Sequence, residues 1–106
     1  MDPTPVSCKF YSSIAGETIT VVDGPCVLKS IEFSRHSALG AQYGSKFEVL
    51  DGSSEKFELF GNIYDLYAGC NASCTIPGLG MRFETSLKIK TGTGVEFKDV
   101  SVIFQA

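Results

Sequence analysis

The chain is short of the residues from which reactive sites are built. It has one histidine, His36, among 106 residues. A single His cannot supply a multi-histidine metal centre of the cupin type. Nucleophilic catalysis needs a base and nucleophile brought together from distant parts of a chain. Ser34 and Ser37 flank His36 too closely for that, so His36 reads as a loop or contact residue. No apolar run approaches the roughly 20 residues that span a bilayer as a helix, and no membrane partner is expected. Basic clusters are missing as well. The net charge is −3, so binding nucleic acid would gain little from counterion release. Lys88 and Lys90 lie two apart on one strand face and read as a solvated edge. The opening segment MDPTPVSCKFY has neither the basic flank nor the apolar stretch of a signal peptide, and synthesis and folding in a cytoplasm are expected. Gly40, Gly44 and Gly92-Thr93-Gly94 do not follow phosphate-loop spacing before a helix, and no cofactor is expected.

Carboxylates and cysteines are present without the patterns that carry chemistry. Glu48, Asp51 and Glu58 fall on one hairpin, where cross-strand Lys/Glu pairs ordinarily stabilise a solvent face. A glycosidase pair would need a cleft, and Asp51-Gly52-Ser53-Ser54-Glu55 is a poor calcium loop. Cys8, Cys26, Cys70 and Cys74 leave three readings open. They are buried thiols acting as small hydrophobes, one or two disulfides, or a metal set. The last has only one tight pair, Cys70/Cys74, where zinc ribbons have two. Asn71-Ala72-Ser73 fits a glycosylation sequon, which the missing secretion signal argues against.

What the chain does have is strand signal. Hydrophobic residues make up 43% and charged residues 20%, which is ordinary for one globular domain. Short alternating runs recur: Val6–Tyr11, Glu17–Val22, Cys26–Ser34, Lys46–Leu50, Lys56–Phe60, Cys70–Ile76, Gly80–Phe83 leading into Ser86–Lys90, and Val95–Gln105. Turn chemistry separates them at Ala15-Gly16, Asp23-Gly24-Pro25, Asp51-Gly52-Ser53-Ser54, Pro77-Gly78 and Thr91–Gly94. Arg35–Gly44 reads as a polar loop. Asn62–Gly69 fits a helical turn and a strand equally. Between Val95 and Phe104 the apolar phase slips at Lys98-Asp99, which predicts a bulge there. Pro3 and Pro5 fix an extended arm over residues 1–6. The expected fold is all-β. It is a single β-sandwich of jelly-roll type spanning 1–106, with eight to nine short antiparallel strands and that arm.

Residues 80–105, GMRFETSLKIKTGTGVEFKDVSVIFQ, together with VLKSIEFS and FEVLDG earlier in the chain, carry a resemblance. They resemble the C-terminal hairpin and central rhythm of small virion β-proteins of tailed bacteriophages. Ser86 departs from the glycine of that pattern, and Cys70/Cys74 lie outside it. The resemblance implies a non-enzymatic capsid cement or decoration protein, or a tail or fibre component. It implies a homotrimer in a virion, made in the host cytoplasm, whose partners are the major capsid protein or other virion subunits. The contact residues expected are Met1, Pro3, Pro5, Phe10, Tyr11, Arg35, His36, Tyr43, Tyr64 and Tyr67. The arm would add to a neighbour's sheet edge. Apart from the resemblance, Tyr43, Tyr64 and Tyr67 also suit a glycan-stacking platform of a lectin-like module, in which case a glycan is the partner.

Overall fold

A computed structural model describes residues 5–33, 35–38, 47–59, 72–92 and 95–106. These residues form ten strands and no helix: β1 (Ser7–Ala15), β2 (Thr18–Val22), β3 (Cys26–Phe33), β4 (Arg35–Ala38), β5 (Phe47–Asp51), β6 (Ser54–Leu59), β7 (Ala72–Thr75), β8 (Met81–Phe83), β9 (Leu87–Thr91) and β10 (Val95–Gln105). They make two antiparallel sheets. One has the order β1-β10-β3-β7, with β4 also pairing β10 and β8 also pairing β3. The other runs β2-β9-β5-β6.

Alternation explains the layering. In β9, Leu87, Ile89 and Thr91 are buried while Lys88 and Lys90 are not. In β5, Phe47 and Val49 are buried. Ile14, Leu28, Ile31, Phe33, Phe97, Val100, Val102 and Phe104 from the first sheet meet Val21, Phe47, Val49, Leu87 and Ile89 from the second in one apolar cluster. The Phe97 ring is edge-on to both Phe33 and Phe47, with centroids 5.0 Å apart in each pair. Edge-to-face packing suits the aromatic quadrupole. The two sheets therefore face each other across a shared core, a sandwich-like arrangement.

The strand count exceeds eight to nine because the polar stretch after Phe33 does not remain a loop. Arg35–Ala38 pairs with Val95–Lys98, so β4 continues β3 along β10. The ladder of an eleven-residue strand holds four residues that lack any alternation of their own. Residues 39–46 and 60–71, including Asn62–Gly69, lie outside the described residues.

The slip at Lys98-Asp99 takes a different form from a bulge. Phe97 and Val100 are both buried, so the phase does flip. Yet β1 keeps one register on both sides, with Tyr11 opposite Val100 and Ser13 opposite Lys98. β3 and β4 do the same. Asp99 has φ of 52°, the left-handed region that Asp tolerates. Ile14 and Tyr11 both turn towards the core, three residues apart. The neighbouring strand thus flips with β10, and no residue is extruded. True register shifts occur elsewhere: beside Lys29 in β3, Val21 in β2 and Lys56 in β6.

Candidate functional site

Every open sheet has edges, and an edge offers unpaired backbone N–H and C=O groups to any other strand. The edges here differ sharply. β4, β7 and β8 are only three or four residues long. β2 carries the Val21 irregularity. β6 carries another at Lys56, along with exposed Glu55, Lys56 and Glu58. Shortness, bulges and charges are the usual devices that blunt an edge.

β1 is neither short nor bulged, and it carries a single charge. It is nine residues long and holds one unshifted register against β10 from Ser7 to Ala15. Among the described residues no strand pairs its outer side. Its only charged side chain, Lys9, donates from Nζ to the Val21 carbonyl of β2. That carbonyl belongs to the residue extruded from the β2·β9 ladder. The one cation that could guard the edge is thus engaged with the opposite sheet. On the other face of the strand stand Cys8, exposed and reduced, and Phe10, 60% exposed. Val6, just before the strand, is 56% exposed. Ile103 of β10 sits opposite Cys8 and is half-buried. An apolar strip therefore runs along the open edge.

The expected contact residues divide. Pro5 and Phe10 are exposed on this edge. Tyr11 is half-buried and packs against the core, and burial raises its phenol pKa. Tyr11 stands opposite buried Val100 on the inner face, in the same alternation that turns Phe10 outward. Arg35 and His36 lie in β4, opposite Lys98 and Phe97. β10 separates them from β1, so they share no edge with Phe10. Met1, Pro3, Tyr43, Tyr64 and Tyr67 lie outside the described residues. Val6 and Cys8 are exposed on the same edge, and the alternation in Val6-Ser7-Cys8-Lys9-Phe10 carries the signal for them.

Other features have plainer explanations. Asp51 closes the β5–β6 hairpin onto the segment before β9. Its carboxylate accepts from the backbone N–H groups of Glu84 and Thr85 at 2.9 Å and of Ser86 at 3.3 Å. Those bonds, Glu84 first, hold its pKa below the ordinary value. The carboxylates of Glu48, Glu55 and Glu58 gather within 4.8 Å of one another on the outer face of the second sheet. Glu48 stands opposite Glu58 on one side and Lys90 on the other, so its cross-strand neighbour within the hairpin is a like charge and the cation lies on β9. Glu55 and Glu58 are exposed, and acidic side chains gather in this way on a solvent face without an ion.

A cleft of about 360 Å³ is lined by Pro25, Cys26, Val27, Arg82, Gln105 and Ala106. Cys26 is a free thiol, 5% exposed. Burial first, and the Asp51 charge second, raise its pKa, which keeps it protonated and unreactive. No His, Asp or Glu lines the cleft to act as its base. Cys26 thus matches the buried-thiol reading, whereas Cys8 is a free thiol on the surface. Cys70, and the side chain of Cys74, lie outside what is described.

Comparison with protein-family models, with curated proteins and with solved structures finds no match to this chain.

Proposed function

We propose that this protein is a non-enzymatic structural subunit that joins an assembly by strand addition along β1. The observation that carries the reading is the contrast among the edges: every other described edge is short, carries a register shift or is charged, while β1 is nine residues long, keeps one register and exposes the apolar Val6, Cys8 and Phe10 beside it. Main-chain hydrogen bonds along such an edge give affinity, and the alternating side chains give selectivity. The resemblance of residues 80–105 to small phage virion β-proteins refines it to a capsid cement or decoration protein. In that reading the two sheets belong to a jelly roll, and residues 1–6 extend the β1 edge as an arm. The partners are the major capsid protein or other virion subunits, and the copies gather as a homotrimer on the virion.

Co-sedimentation with the separated capsids, tails and fibres of the phage carrying the gene tests it. The wild-type chain should pellet with capsids and stay in solution with tails and fibres. Phe10→Glu and Val6→Glu, which alter exposed positions, should stay in solution throughout while keeping the wild-type circular dichroism spectrum. Pelleting with tails or fibres would move the protein there. Capsid binding unaffected by either substitution would remove β1 as the contact.

A further inference from the structure

Resting on that assembly reading, we infer that the strand added along β1 is β1 of a second copy, antiparallel, about a two-fold axis at Cys8. The unpaired main chain of an edge specifies a strand as occupant, and the sequence of this edge is complementary to itself. Over Pro5–Tyr11 the strand keeps one phase, with Val6, Cys8 and Phe10 on the outer face. Beyond Tyr11 the phase flips at the row of Asp99, and a straight partner no longer matches. The middle of the uniform stretch is Cys8, so the whole stretch meets itself only about that residue.

In this register Val6 of each copy lies opposite Phe10 of the other, and the two exposed apolar side chains cover each other twice. Charge selects the same register. An axis one residue on would set Lys9 against Lys9, and like charges directly opposite are destabilising. The axis at Cys8 sets each Lys9 opposite Ser7. No acidic side chain occurs between Pro5 and Gly16, so no other register gains a salt bridge. The contact is isologous and links copies in pairs. It can tie together copies that belong to neighbouring trimers.

Directly opposed residues in an antiparallel pair have Cα atoms about 4.5–5.5 Å apart, inside the range a disulfide spans. That makes Cys8 a reporter. Diamide, a diazene oxidant, would accept two electrons and two protons from two Cys8 thiols. It becomes the hydrazine as one S–S bond forms. The purified full-length chain is treated with diamide, run on a non-reducing gel and mapped by peptide mass. The expected result is a band at twice 11.4 kDa with a Cys8–Cys8 link. The band should be missing in Cys8→Ser, and its yield should fall by roughly tenfold or more in Phe10→Glu. Circular dichroism establishes that both variants fold. A chain that binds capsids through Phe10 but yields no Cys8–Cys8 link overturns the self-pairing and leaves the assembly reading standing. A Cys8–Cys8 yield indifferent to Phe10→Glu overturns it as well. A chain that neither links nor binds capsids, tails or fibres overturns both.

Discussion

Gly80 shows how a single residue fixes the course of the chain here. Its φ is +98°, and a Cβ built on it would lie 2.6 Å from Val27 Cγ1 and 2.7 Å from the Leu28 carbonyl oxygen. Glycine alone satisfies both the dihedral and the approach. The turn before it is tied down by the Ile76 N–H donating to the Lys29 carbonyl at 2.9 Å and Lys29 Nζ donating to the Leu79 carbonyl at 2.7 Å. Gly80→Ala should therefore cost about 1–3 kcal/mol, read as a lower urea midpoint at unchanged slope. An unchanged midpoint would mean the turn relaxes without strain. Asp51 offers a test by pH. The folded protein holds this carboxyl's proton more weakly than the unfolded chain, where the ordinary value is 3.8. Its stabilisation is whole above that value and is lost as pH falls through the lowered folded pKa. The urea-midpoint gap between wild type and Asp51→Asn should hold steady from neutrality to about pH 5 and shrink below about pH 4. A gap that widens on acidification would contradict the three backbone donors as its cause.

At the scale of elements, the short strands were legible because each alternates on its own. Phe47 and Val49, Leu87 and Ile89, and Val102 and Phe104 were read on buried faces, where they lie. β4 was not legible, because its pairing is imposed by β10 and nothing in Arg35–Ala38 alternates. The slip at Asp99 was legible as a change of phase. Its form was hidden, because whether one strand bulges or several flip together depends on neighbours that a linear reading cannot see. The edge was half legible. Phe10 stood out as an aromatic near the arm, while Tyr11 reads identically in sequence and is set inward only by its place opposite Val100. Packing separates the two kinds of phenylalanine. Phe97 is fully buried between Phe33 and Phe47, and Phe97→Ala should cost about 3–5 kcal/mol. Phe10→Ala, on the exposed strip, should change monomer stability by less than about 0.5 kcal/mol. Thermal and urea unfolding of the two variants side by side would check the contrast. Similar losses in both would mean that Phe10 packs inside the fold.

For the whole molecule, the contrast is between a closed interior and one open border. Both sheets spend their apolar faces on each other. The second sheet turns Lys90, Glu48 and Glu58 outward on neighbouring strands. Among the described residues, only along β1 do apolar side chains and a long unshifted strand edge stay exposed together. In a lone monomer that is a hazard for aggregation; in an assembly it is a joint. Amide hydrogen exchange along β1 tests this most directly, because it reads the main-chain bonds themselves. In dilute free protein, alternate amides from Ser7 to Tyr11, those turned away from β10, should exchange quickly. Once the protein is assembled they should become protected, with the amides of β2 and β6 unchanged. Assembly that leaves those β1 amides as fast as before would contradict the account.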